Sequence, residues 1–103
     1  MARQVLDQQE IDARLARLHP DWSGTPQALA RSLEFADFMT AVRFVTALAP
    51  RCEELDHHPD LALRWRCVDV QLSTHSAGGV TDKDFELADV VDELVADPPT
   101  SGG

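Results

Sequence analysis

Apolar positions along this chain recur with two periods, and the switches between them divide it into seven elements. Asp7, followed by Gln8, Gln9 and Glu10, has the form of a capping box, with the Asp7 carboxylate accepting from an early helical N–H and Glu10 reaching back. Ile11, Leu15 and Leu18 follow at helical spacing, and the helix is predicted to end at His19-Pro20, because the residue before a proline is driven out of the helical region. A brief strand near Trp22, turn chemistry at Gly24-Thr25-Pro26, and alternation of Leu29, Arg31, Leu33 and Phe35 with Ala30, Ser32 and Glu34 predict a β-hairpin. The helical period returns after Asp37, a candidate cap. Phe38, Val42, Val45 and Ala49 mark one apolar face, and Met39 and Phe44 fall off it, as expected of a helix that packs on its own sheet and on another subunit. Pro50 predicts a kink or a fresh helical start within LAPRCEEL.

Beyond Pro59 the period is two again. Leu61, Leu63 and Trp65 alternate with Arg64 and Arg66, and then Val68, Val70 and Leu72 alternate with Asp69, Gln71 and Ser73. The apolar parity changes near Arg66-Cys67, which requires a tight turn or a bulge and so a second hairpin, with His75 at its end. Ser76 to Gly79 make a turn, Thr81-Asp82-Lys83-Asp84 is a second capping box, and Leu87, Val91, Leu94 and Val95 stripe a last helix. The order is α-β-β-α-β-β-α. Strands joined by short turns pair antiparallel, so the class is α+β, one antiparallel sheet covered by helices. One domain over residues 1–96 is expected, with DPPTSGG, residues 97–103, as a disordered tail.

Composition narrows the functions open to such a domain. With 18 acids against 9 Lys plus Arg, a net charge of -9 repels nucleic-acid phosphates and anionic membranes, so direct nucleic-acid binding is not expected. No apolar run approaches the length of a membrane span, and MARQVLDQQEIDARL lacks the apolar core of a signal, so a cytoplasmic protein is expected. Cys52 and Cys67 form no Cys-x-x-Cys motif and read as buried thiols rather than a disulfide framework.

The residues with chemical potential are histidines. Two of the four in the chain, His57 and His58, sit side by side in EELDHHPD at the end of the central helix. They can serve a helix C-terminus electrostatically. A metal site would need His75 as a third ligand, with Asp56 or Glu53, and no i, i+4 histidine pair supports it. Acid-base chemistry is the third reading, since an unperturbed imidazole, with a pKa near ~6.5, both gives and takes a proton at cell pH. Nucleophilic catalysis fits less well, because neither cysteine has a motif context and no Gly-x-Ser-x-Gly elbow occurs.

Glu53-x-x-x-His57-His58-Pro59, then Trp65 after five residues, His75 after nine more and Asp84 after eight more, resembles the signature of the pterin-4a-carbinolamine dehydratase family. The similarity extends to Trp22, LEFADF, STHSAGGVTDKD and LADVVDEL, from about Ile11 to Leu94; Pro50 and a slightly compressed stretch from Trp22 to Phe35 depart from it. The resemblance implies a four-stranded antiparallel sheet covered on one side by helices, a dimer or tetramer, and dehydration of 4a-hydroxytetrahydropterins to quinonoid dihydropterins, which recycles the cofactor of aromatic amino acid hydroxylases. It implies no metal and no organic cofactor. His57, His58 and His75 would form the catalytic set, with His57 the leading acid-base group, His75 the second, and His58 mainly holding the pterin. Glu53 and Asp84 would orient or tune the histidines, Trp22 would pack at the pocket edge, and Asp56, Pro59, Ser73, Thr74 and Ser76 would complete the contacts. Each has a plainer role: Asp84 as a helix cap, Trp22 and Trp65 as core residues, Glu53 as part of a solvated helix end. Relatives of this fold also act without catalysis, as a transcription-factor dimerisation cofactor or a Rubisco assembly factor, so an oligomeric interaction module is the alternative.

Overall fold

The computed structural model describes residues 4–96, so the expected tail at 97–103 lies outside the described residues. Seven elements follow the predicted order: α1 (Gln8–Leu15), β1 (Ser23–Gly24), β2 (Leu29–Glu34), α2 (Phe38–Leu55), β3 (Asp60–Arg64), β4 (Cys67–Leu72) and α3 (Asp82–Ala96). The four strands form one antiparallel sheet in the order β1-β2-β4-β3. Leu29↔Leu72 and Leu33↔Val68 set the register of the central pair. This register puts Leu29, Leu33, Val68, Val70 and Leu72 on one face, where Ala41, Phe44, Leu48 and Cys52 of α2 and Leu87, Ala88 and Val91 of α3 close the core. Arg31 is buried on that same face, and Asp92 of α3 neutralises it at 2.6 Å.

The caps act as their sequences suggest. Asp7 accepts from Glu10 N–H at 2.9 Å, although the Glu10 side chain turns to Arg14 instead of reaching back. α1 ends at Leu15, short of His19-Pro20, and continues as tighter turns in which Arg17 and Leu18 N–H groups bond to carbonyls three residues back. Asp37 caps α2 through Thr40 N–H at 2.8 Å.

The largest correction concerns α2. Its core face is Ala41, Phe44, Leu48 and Cys52, and Phe44 is fully buried with its ring 5.2 Å from Phe35, so it is not available to a second subunit. The stripe of Phe38, Val42, Val45 and Ala49 is instead the half-exposed side of the helix. Both sides are apolar, and periodicity does not reveal which one meets the sheet. The helix is assigned without a break through Pro50, which lies on its exposed side.

β3 is an edge strand exposed along its whole length, including Leu61 and Leu63. The parity switch falls in the two-residue turn Trp65-Arg66. Trp65 takes a left-handed φ of 52° and is 69% exposed at the hairpin tip, with Arg66 stacked on its ring, so the core role weighed for it does not apply. Among the described residues no helix is long and apolar enough to cross a membrane.

Candidate functional site

The end of α2 is built to aim two consecutive side chains in opposite directions. Asp56 adopts left-handed geometry (φ 51°, ψ 45°), and the N–H groups of Asp56 and His57 bond back to the carbonyls of Glu53 and Cys52, the pattern of a Schellman cap. Pro59 prevents the helix from resuming. After this reversal His57 turns inward, 9% exposed, and His58 turns outward, with 58% of its side chain in solvent.

Inside, His57 meets a carboxylate. Its Nε2 lies 2.6 Å from Asp84 Oδ1, and Asp84 is fully buried at the third position of α3. Asp84 Oδ2 accepts from Thr81 N–H at 2.9 Å, which completes the predicted capping box, and from the Thr74 hydroxyl at 2.8 Å. The Thr74 and Thr81 hydroxyls are themselves 2.7 Å apart. One carboxylate thus joins the end of α2, the loop after β4 and the start of α3.

That loop carries His75. Thr74 anchors it, with the amides of Ala77, Gly78 and Gly79 all directed at the Thr74 carbonyl and Gly78 in a φ of 83°. Gly79 has no room for a side chain, since a Cβ there would lie 2.4 Å from the Pro26 carbonyl oxygen. His75 projects into solvent, 79% exposed, with Nε2 3.7 Å from Asp60 Oδ2. On the outer side, His58 Nε2 contacts Glu53 Oε2. The Lys83 ammonium, on the one lysine of the chain, donates to Leu55 O at 2.5 Å and clamps α3 to the last turn of α2, where a cation suits the helix dipole.

Glu53, Asp56, His57, His58, Pro59, Ser73, Thr74, His75, Ser76 and Asp84 therefore come from three segments that converge, but at different depths. Asp84, Thr74 and His57 lie beneath the surface, while the others lie at or near solvent. Trp22 stands apart: its indole N–H donates to Asp92 Oδ1 at 2.6 Å, and Asp92 is eight residues, or about 12 Å of helix rise, from Asp84. Sequence reasoning missed Thr81, Lys83 and Asp60 as contributors. The capping box pointed to Thr81, whereas nothing local signals that Lys83 reaches a carbonyl 28 residues away.

A groove of ≈ 260 Å³ beside His58 is lined by Val45, Leu48, Ala49, Cys52 and Leu61. Burial, followed by the charge of Glu53, pushes the Cys52 thiol above its ordinary pKa and keeps it neutral there. Larger concavities of ≈ 590 Å³ by the N-terminal arm and ≈ 420 Å³ on the open sheet face have no histidine in their lining. Among the described residues no three His, Cys, Asp or Glu side chains are grouped to hold a metal ion.

The family described as Pterin 4 alpha carbinolamine dehydratase matches residues 4–94. The chain belongs to this family. A relative from Mycolicibacterium smegmatis, provisionally named a pterin-4-alpha-carbinolamine dehydratase, is 41% identical over 90% of this chain and 98% of its own length. A relative from Sulfolobus acidocaldarius with the same provisional name is 43% identical over 86% and 97%. Among solved structures, a transcriptional coactivator/pterin dehydratase from Brucella melitensis superposes with a TM-score of 0.82 at 36% identity, covering 86% of this chain and 96% of that one. A pterin dehydratase-like protein identified as a RuBisCO assembly factor in the alpha-carboxysome gives 0.58 at 26% identity, covering 71% and 84%. Family membership gives the EELDHHPD and STHSAGGVTDKD segments a shared context, and the fold brings the two together around Asp84.

Proposed function

We propose that this chain dehydrates 4a-hydroxytetrahydropterins to quinonoid dihydropterins by histidine acid-base catalysis, as a step in tetrahydropterin recycling. The observation that carries the reading is the buried His57–Asp84 contact at 2.6 Å, with two further imidazoles, on the residues next in sequence to His57 and to Thr74, open to solvent. A buried carboxylate holding one ring nitrogen of an imidazole leaves the other to exchange protons, an arrangement suited to general acid-base work. One protonated imidazole gives its proton to the C4a hydroxyl. The C4a–O bond then breaks and water leaves; the electron pair of the N5–H bond closes the C4a=N5 double bond as its proton passes to a second, neutral imidazole. His57 is the leading acid-base group, His75 the second, and His58 holds the pterin from the solvent side with Glu53. Asp56, Pro59, Ser73 and Ser76 complete the pterin contacts, whereas Thr74 and Asp84 act from beneath.

The chain is further proposed to work as a homodimer or homotetramer. Support comes from the half-exposed stripe of α2 beside the exposed Leu61 and Leu63 of edge strand β3, apolar surface that a second copy would cover. The net charge of -9 fits a cytoplasmic enzyme that binds neither nucleic acid nor membrane directly.

The exposed apolar band also supports a second reading, an oligomeric interaction module like the neighbours described as a coactivator and a RuBisCO assembly factor. A dehydration assay on freshly generated 4a-hydroxytetrahydropterin, corrected for spontaneous water loss, separates the two. Enzyme-dependent turnover is expected; a folded protein that adds nothing to the spontaneous rate leaves the interaction module as the function.

A further inference from the structure

The Thr81 hydroxyl is fully buried, yet it does more than cap α3. It accepts from Lys83 N–H at 3.3 Å and lies 2.7 Å from the Thr74 hydroxyl, which belongs to a different segment and which a capping box does not require. The directions of these bonds follow from counting protons. Thr74 has one hydroxyl proton, and it points at Asp84 Oδ2; the bond between the threonines must therefore use the proton of Thr81. Donors then run one way, from Lys83 N–H to Thr81, from Thr81 to Thr74, and from Thr74 to Asp84. With Thr81 N–H also on Oδ2, that oxygen is occupied and Oδ1 is turned to His57. A carboxylate oxygen only accepts, so His57 presents Nε2–H to it. Nδ1 is then the lone-pair nitrogen. It is not among the buried side-chain atoms left without a partner, which among the described residues are Arg31 Nε and Arg66 Nε, and the ring keeps 10% exposure.

We propose that Thr81 and Thr74 are positioning residues that act through Asp84 to hold His57 in the Nε2–H tautomer, so that Nδ1 is the atom that exchanges protons with the substrate. The role in turnover rests on the acid-base reading of His57; the tautomer does not. Outer hydrogen-bond partners of metal-bound imidazoles act on the scale of about 10- to 100-fold, which sets the scale here, and replacing an orienting carboxylate by an amide that fixes the wrong tautomer costs far more.

The test uses the whole protein. Nitrogen-15 NMR of the histidine rings, recorded where imidazole is neutral, is expected to show His57 as Nε2–H in the wild type and as a tautomer mixture in the near-isosteric Thr74→Val and Thr81→Val variants. Thr74→Ser and Thr81→Ser, which keep the hydroxyl, should restore the wild-type pattern. In the dehydration assay the valine variants should lose kcat on the order of 10- to 100-fold with KM little changed, and the serine variants should recover it. A wild-type His57 protonated at Nδ1 overturns the proposal even if the valine variants fail to fold. Valine variants that fold and keep both the Nε2–H signature and kcat overturn it as well. A protein with no turnover but with the expected tautomer changes removes the dehydratase reading and leaves the positioning role intact.

Discussion

His57 and His58 are neighbours in sequence with opposite surroundings, and their substitutions should report different things. His58→Ala removes a solvent-facing ring and is expected to raise KM for the pterin with little effect on melting. His75→Ala, also at the surface, should lower kcat by about 100- to 10,000-fold while unfolding remains cooperative and unshifted. His57→Ala should lower kcat and stability together. On the proposed mechanism it removes a general acid-base group, and it also withdraws a donor from a fully buried carboxylate, a desolvation penalty of about 1–3 kcal/mol. Steady-state kinetics beside denaturant melts of the three variants check this. Wild-type turnover in both His57→Ala and His75→Ala, with only the melting changed, would mean that the histidines are structural.

Within the elements, two positions in α2 break the usual preferences. Asp56 holds a left-handed conformation that glycine adopts freely and an L-residue adopts at a cost of roughly 1 kcal/mol. Asp56→Gly is expected to stabilise the protein by about 0.5 kcal/mol and Asp56→Ala to destabilise it by a similar amount. If activity falls in the glycine variant as stability rises, the strained residue serves the site. Pro50, mid-helix and exposed, leaves the Thr46 carbonyl without its helical donor, so Pro50→Ala should stabilise by up to about 3 kcal/mol in urea titrations. The start of α2 responds to acid. The Thr40 hydroxyl and then its N–H hold the Asp37 carboxyl below the usual carboxylate range. A depressed folded-state pKa contributes stability that is present above the unfolded value and lost as pH falls through the folded one. The protection factor at Ala41, whose N–H bonds to Asp37 O, taken relative to the intrinsic exchange rate at each pH, should therefore fall on acidification, and Asp37→Asn should flatten that response.

At the scale of the whole molecule, the exposed large apolar side chains include Phe38 and Met39 at the start of α2 and Leu61, Leu63 and Trp65 of the β3–β4 hairpin. Monomers seldom leave so much apolar side chain uncovered, and an edge strand without a charged inward residue is open to pairing. Light scattering over a dilution series is expected to show a dimer or tetramer at micromolar concentration, and Leu61→Lys with Leu63→Lys should shift it toward monomer. A wild type that is strictly monomeric at high micromolar concentration rules this out. Phe44, first assigned to the same surface by its place on the helix, belongs to the core, and Phe44→Ala should cost about 3–5 kcal/mol without affecting assembly directly.

Element order, both hairpins, three carboxylate caps and the histidine signature were legible along the chain because each rests on neighbours within a few residues: a capping aspartate acts three positions on or, for Asp84, three back, alternation has period two, and a proline acts on the residue before it. Membership of the pterin dehydratase family could be read the same way, from motif spacing. What required the fold is everything that joins distant segments. α2 is apolar on two sides, and only sheet packing decides that Ala41, Phe44, Leu48 and Cys52 turn inward. Trp22 finds Asp92 seventy residues away, and Lys83 finds the carbonyl of Leu55, contacts with no local signal. Asp84 reads as a helix cap or a site carboxylate from sequence, and in the fold one of its oxygens meets Thr81 N–H and the Thr74 hydroxyl while the other meets His57, because the packed core gives each oxygen a different partner.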